Sequence, residues 1–144
     1  MAGIKRVSPL EAKSLLDQGY TYLDVRTVEE FHAGHPTGAW NVPLNVAGPA
    51  GSQMNPKFAA TIEAIFDRDA KIVVGCATGV RSLRAAEILT SMGYREVVDQ
   101  RAGFGGSRSP FGARAEPGWA ELGLPSSRGP DPGSYGALEA RSKK

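Results

Sequence analysis

The sequence predicts an α/β fold in which a parallel sheet is covered by helices, and three observations carry that expectation. Short β-prone runs alternate with helical stretches of about ten residues. The run Lys71-Ile72-Val73-Val74-Gly75 is apolar on both faces, as a central strand of a parallel sheet must be. Between such runs, capping residues and glycines mark where helices start and stop.

Taken in order, Ser8-Pro9-Leu10-Glu11 opens the first helix. Ser8 suits the N-cap, Pro9 the first helical position, and Glu11 closes a capping box. Ala12, Leu15 and Leu16 then share one face, and Gly19 supplies the stop. Residues 20–25 form a mostly apolar strand. Thr27 caps a short helix with Glu30 at the box position, and His35-Pro36-Thr37-Gly38 breaks it. A short strand over 39–42 ends at Pro43. Residues 46–56, rich in Gly, Ala and Asn, are predicted to be a surface connection. Phe58, Ile62, Ile65 and Phe66 mark one side of a helix, and Ala85, Ile88, Leu89 and Met92 mark another that ends at Gly93. Residues 96–99 complete the strands. Sites in such sheets lie at the carboxyl ends of strands, which directs attention to the residues just beyond Val74.

Composition narrows the function classes. The 144 residues suit one domain, with 41% apolar and 22% charged side chains. A net charge of +2 is too slight for an electrostatic claim on nucleic acid or an anionic membrane. No apolar run approaches the ~18–20 residues of a membrane span. The single cysteine excludes an internal disulfide framework and a cysteine-rich metal site. Two histidines without clustered cysteines or carboxylates give no metal-ligand pattern, and no cofactor is expected. Lys5 and Arg6 have no apolar stretch behind them, so no secretory signal is predicted; the expected location is cytoplasmic, with a removed transit peptide left open. Half of the 28 Gly and Pro residues fall in the last 42 positions, and beyond Ser126 little is apolar except Tyr135 and Leu138. The expectation is therefore one domain over 1–125 and a disordered tail over 126–144.

Cys76 follows the central strand directly and precedes a helix, in Cys76-Ala77-Thr78-Gly79-Val80-Arg81-Ser82. Loop amides and a helix N-terminus can converge on a thiol placed there. Gly79 permits a backbone conformation closed to other residues, Arg81 adds positive charge, and Ser82 is expected to cap a helix beginning at Leu83. Together these favour thiolate over thiol, and a reactive cysteine over the buried structural cysteine that is otherwise the common case.

The sequence resembles the rhodanese (sulfurtransferase) family, particularly its single-domain members. Tyr22-Leu23-Asp24-Val25-Arg26, then Glu29-Glu30-Phe31, Gly34-His35 and Gly38-Ala39-Trp40-Asn41-Val42-Pro43 are similar to that family's N-terminal signature. Cys76 to Ser82 looks like its active-site loop, and Gly118-Trp119 with Gly123-Leu124-Pro125 like its C-terminal end. The resemblance implies a sheet of about five strands with helices on both faces. It also implies that Cys76 takes a sulfane sulfur from a small donor as a persulfide and passes it to a thiol, cyanide or protein acceptor. Ala77, Thr78, Gly79, Val80, Arg81 and Ser82 would then bind the substrate, with Asp24 and Arg26 in support. Phosphatase-type loops on related folds hold one more residue between Cys and Arg, so this tighter loop suits a single sulfur. The alternative is a rhodanese-like binding or persulfide-carrier module that serves a protein partner with little turnover on small donors.

Several positions have simpler expectations. Arg26 is expected to pair with Glu30, His35 to stabilise a turn, and Trp40 and Trp119 to anchor the core. Ala77, Thr78 and Val80 are neutral where thiosulfate-handling relatives often carry basic residues, leaving Arg81 as the main anion contact. About ten residues over 104–116 look inserted; Arg108 and Arg114 within them could overhang the cysteine pocket, and a flexible edge loop is the simpler expectation.

Overall fold

A computed structural model describes residues 3–49, 51–108 and 114–142. Five parallel strands form the main sheet: β1 (Lys5–Val7), β2 (Thr21–Asp24), β4 (Trp40–Asn41), β7 (Lys71–Gly75) and β8 (Glu96–Gln100), in the order β1-β8-β7-β2-β4. The apolar run 71–75 is the middle strand, as its two-sided hydrophobicity predicts. Alternation along the strands divides the core in two. Leu23, Ile72 and Val74 face one cluster, while Tyr22, Val73 and Val98 face the other.

Helices close both faces. α1 (Pro9–Asp17) and α2 (Val28–Ala33) cover the second cluster with Ala12 and Phe31. Each begins with the capping box read from sequence, at Ser8/Glu11 and Thr27/Glu30. α3 (Phe58–Ile65) and α4 (Val80–Ser91) cover the first cluster through Phe58, Ile62, Ala85, Ala86 and Leu89. Trp119 is buried edge-on to Tyr22, with centroids 5.5 Å apart. Trp40 is only half-buried and stacks on Phe66 at 5.1 Å.

The surface connection expected over 46–56 contains a hairpin. β5 (Asn45–Gly48) and β6 (Gly51–Met54) pair antiparallel, with Asn45 opposite Met54 and Gly48 opposite Gly51. Gly51 sits at φ +108°, a turn geometry that favours glycine, and Pro49 precedes it.

The tail expected to be disordered is instead described as structured through residue 142. β11 (Ser126–Ser127) pairs with β3 (His35–Pro36), and α5 (Tyr135–Ser142) packs on α3 with Leu138 wholly buried. Few apolar residues suffice because polar contacts dock the segment as well. Asn41 N–H donates to the Gly133 carbonyl at 2.8 Å, and Asp131 Oδ2 lies 2.8 Å from Nε2 of the buried His35. His35 therefore does more than stabilise its turn, through Nδ1 at 2.7 Å from the Phe31 carbonyl; it anchors the C-terminal segment. Replacing Asp131 with Ala leaves a buried ring nitrogen without that partner. It should cost about 1–3 kcal/mol in urea unfolding and speed amide exchange over 126–142. Unchanged unfolding and exchange would refute the anchoring role.

Within the expected insertion, β9 (Ser107–Arg108) and β10 (Arg114–Glu116) pair antiparallel. Arg101 grips Glu116 through two hydrogen bonds of 2.9 and 3.1 Å, tying the excursion to the turn after β8. Residues 109–113 and the side chains of Arg108 and Arg114, with the overhang expected of them, lie outside the described residues.

Candidate active site

Cys76 stands one residue past β7, where the chain connections diverge. The chain leaving β2 returns through α2 to β4 on one side, and that leaving β7 returns through α4 to β8 on the other. Ligands of parallel sheets bind outside the carboxyl ends of strands at such a reversal. The flanking strand ends are held together, with Asp24 level with Gly75 and Val25 N–H donating to the Gly75 carbonyl at 3.0 Å.

The thiol is 1% exposed. Its Sγ accepts a hydrogen bond from Gly79 N–H at 3.1 Å and lies 3.5 Å from Ser82 Oγ, as donor to that hydroxyl. The loop is pinned from outside at three carbonyls. Phe104 N–H donates to that of Cys76 at 2.7 Å, Gly105 N–H to that of Ala77 at 2.9 Å, and Arg6 Nη2 to that of Gly79 at 2.7 Å. Gly79 has φ +92°, and a Cβ on it would stand 2.0 Å from the Arg101 carbonyl oxygen. Both the backbone angle and the space demand glycine.

Ser82 departs from its expected role as a cap. α4 already begins at Val80 behind Gly79, and Ser82 sits buried in its first turn. Beyond it lies Asp99, wholly buried, whose Oδ2 accepts from Arg6 Nε at 2.6 Å. Burial raises the Asp99 pKa, and the Ser82 hydroxyl and Arg6 guanidinium oppose that rise. Among the described residues, Asp99 Oδ1 has no hydrogen-bond partner. Sequence reasoning missed Arg6 and Asp99 because they join across 93 positions of chain. Arg6 is thus shared between the Asp99 carboxylate and the loop carbonyl of Gly79, from the edge strand of the sheet.

Arg81, expected to be the main anion contact, is engaged elsewhere. Its guanidinium binds both oxygens of Glu30, at 2.8 and 3.1 Å. Burial raises the Glu30 pKa, but the Arg81 guanidinium and the Thr27 amide outweigh it and hold the group at about 2. Glu30 therefore closes the capping box of α2 and ties that helix to the cysteine loop. Its folded pKa lies below the ordinary 4.5, so the stabilisation is present above pH 4.5 and is lost as pH falls towards 2. With both side chains about a third exposed, the loss should be on the order of 1–2 kcal/mol. Glu30→Gln should flatten that part of the stability profile in acid titrations followed by circular dichroism; an unaltered profile would remove Glu30 from the account.

Asp24 and Arg26 form a buried pair at 2.7 Å, which replaces the expected Arg26–Glu30 pairing. Arg26 also donates to the Gly34 carbonyl at 2.6 Å, and its guanidinium lies 4.6 Å from the centroid of the Phe104 ring. The pair braces the end of β2 against the segment carrying Phe104. Below the loop, Tyr22 stays a neutral phenol, since burial and the Asp24 charge both raise its pKa. Ala77 is half-buried, Thr78 is exposed, and Val80 is 74% exposed. Among the described residues, no group of three or more His, Cys, Asp or Glu is placed to hold a metal ion.

A helix-covered parallel sheet with a lone cysteine cradled after its central strand defines a class of single α/β domains built around one thiol. The family model of the rhodanese-like domain matches residues 8–106, and the chain belongs to that family. It is 41% identical over 96 residues to rhodanese-like domain-containing protein 17 of Arabidopsis thaliana, covering 65% of this chain and 62% of that protein. It is 39% identical over 119 residues to thiosulfate sulfurtransferase 16, chloroplastic, of the same plant, covering 83% and 89%. Among solved structures, that of Rv0390 from M. tuberculosis matches with a TM-score of 0.72 at 27% identity, covering 89% of this chain and all of that one. The chain thus spans less than two thirds of the first of these relatives. Among the described residues, no helix is long and apolar enough to cross a membrane.

Proposed function

We propose that the chain is a sulfurtransferase in which Cys76 carries the sulfur. The observation that supports this most directly is the hydrogen bond from Gly79 N–H to Cys76 Sγ at the loop's centre. A donor pre-aimed at the sulfur stabilises negative charge on the thiolate and on the outer sulfur of a persulfide. In the first half-reaction the thiolate attacks the sulfane sulfur of thiosulfate, a new S–S bond forms, and sulfite leaves with the electron pair of the bond broken. In the second, a nucleophilic acceptor takes the outer sulfur and the Cys76 thiolate is restored. Relatives named thiosulfate sulfurtransferase support the reaction class.

In this reading Ala77, Thr78, Gly79, Val80, Arg81 and Ser82 surround the transferred sulfur. Arg81 acts from its ion pair with Glu30, so its contribution is to hold the loop as well as to offset charge. Asp24 and Arg26 support the site by bracing β2. The donor is a small sulfane sulfur compound and the acceptor a thiol, cyanide or protein thiol. A cytoplasmic location belongs to the same reading, and fractionation that finds the protein in an organelle would replace it. The reading is tested by incubating the protein with thiosulfate or polysulfide and weighing it intact: gain of one reducible sulfur on Cys76 is expected. Failure with every donor would overturn it. A persulfide formed without multiple turnover on small acceptors would instead identify a dedicated carrier for a protein partner.

A further inference from the structure

A buried carboxylate stands behind the thiol. Alternation along β8 puts Asp99 on the same side as Val97, which packs against the cluster that contains Cys76. α4 packs on that side, and its first turn carries the wholly buried Ser82. Cys76 Sγ donates to Ser82 Oγ at 3.5 Å, which leaves the Ser82 proton for the Asp99 carboxylate. Asp99 is itself wholly buried. Its Oδ2 accepts from Arg6 Nε at 2.6 Å, whereas among the described residues its Oδ1 accepts nothing. A buried oxygen left open in this way calls for an explanation. Among the described residues, the charged and titratable groups that face the pair are Arg6 from β1, Arg81 from α4 and the Tyr22 phenol from β2.

Resting on the sulfur-transfer reading, we propose that Asp99 takes up the thiol proton of Cys76 through Ser82 each time a sulfur is loaded, so that the site gains sulfur without gaining charge. The outer sulfur of a persulfide is an anion at neutral pH, and Cys76 is 1% exposed. Two buried charges of one sign, a serine apart, repel strongly, and neutralising the carboxylate relieves the repulsion. Burial already raises the Asp99 pKa against the pull of Ser82 and Arg6. In the loading step the S–H bond breaks, Ser82 Oγ receives that proton, and Ser82 gives its own to the carboxylate. The thiolate attacks the sulfane sulfur of thiosulfate, the donor's S–S bond breaks, and sulfite leaves with its electron pair. Oδ1 can carry the proton while Oδ2 keeps its bond to Arg6. When an acceptor removes the outer sulfur, the thiolate left behind takes the proton back along the same route. Asp99 touches no reacting sulfur; it is a positioning residue that acts through Ser82.

The test compares sulfur loading from thiosulfate in the full chain and in Asp99→Asn, with intact mass giving the loading constant over a range of pH. Asparagine can still accept from Arg6 Nε but takes up no proton. Loading that keeps its proton inside the protein is flat with pH, whereas loading that expels one rises about tenfold per pH unit. Below the thiol's own titration, the ratio of variant to parent should therefore rise about tenfold per unit; the protonation of sulfite cancels from it. A ratio that does not change with pH would overturn the proposal. Ser82→Ala should slow loading by about a hundredfold, as expected for a lost proton-transfer group, and an unslowed variant would overturn the route through Ser82. If Asp99→Asn does not fold, the parent alone decides. Once loaded, it should show the infrared carbonyl band of a protonated carboxyl, shifted in heavy water, and absence of that band would overturn the proposal. Because the chain has a single cysteine, thiolate absorbance can also be followed without any donor, with Cys76→Ser as the blank. The Asp99 anion should hold thiol ionisation at higher pH than in Asp99→Asn, and equal midpoints would overturn the coupling. A shifted midpoint in a protein that never loads sulfur would leave the coupling of Asp99 to Cys76 standing and overturn the sulfur-transfer reading instead.

Discussion

Cys76→Ser should abolish sulfur loading while leaving the fold intact, the largest single effect expected of any substitution here. Serine is nearly isosteric, and its hydroxyl can still accept from Gly79 N–H and face Ser82, the two polar contacts the thiol makes. The exchange removes a buried sulfur from a packed cluster, so a stability loss of about 1 kcal/mol is expected, too little to unfold the domain. A serine hydroxyl is neither acidic enough nor soft enough to store a sulfane sulfur at neutral pH. Intact mass after thiosulfate or polysulfide treatment should therefore show one added, dithiothreitol-labile sulfur in the parent protein and none in the variant. A labile sulfur on the serine variant would remove Cys76 from the chemistry.

Gly79→Ala should come second, and it attacks the cradle without touching the sulfur. At φ +92° an alanine pays backbone strain of about 1–2 kcal/mol. Its methyl would also stand 2.0 Å from the Arg101 carbonyl oxygen, a backbone atom that cannot swing aside. The loop or the turn after β8 must then move, and either shift disturbs the amide at Sγ and the Arg6 bond to the Gly79 carbonyl. A loss of about 2–4 kcal/mol in urea unfolding is expected, with sulfur loading slowed by about two orders of magnitude, the cost of removing one charge-stabilising donor. Parent-like stability and loading would show that the loop does not depend on this geometry.

The features legible in the chain are the local ones. The two capping boxes, the central strand and the cysteine loop are written within a few consecutive residues, and the structure has them where the sequence places them. Ser82 was legible as a helix-start residue, and its place at the sulfur came only from the family resemblance; the helix itself begins three residues earlier than expected, at Val80. Glu30 was legible as a box residue, whereas its hold on Arg81 spans 51 positions and depends on how α2 packs beside α4. The C-terminal segment misled for a related reason. Its composition is that of a disordered chain, and its order comes from docking points such as Asp131 and Leu138 that acquire partners only on the folded surface. A signal for the hairpin was present in Gly48-Pro49 ahead of Gly51, although its strands are too polar to stand out.

The bridge made by Arg6 has a consequence for the order of assembly. Arg6 is synthesised well before its two partners, which lie 73 and 93 positions later. Among the described residues β1 pairs only with β8, so it gains that sheet neighbour only after residues 96–100 have left the ribosome. Contacts of such long range carry the heaviest loop-closure cost and form late. The cysteine cradle therefore cannot be completed until β8 and the residues just after it have emerged: before that the polypeptide exposes an ordinary thiol, and the tuned one arises only when β1 and β8 have met.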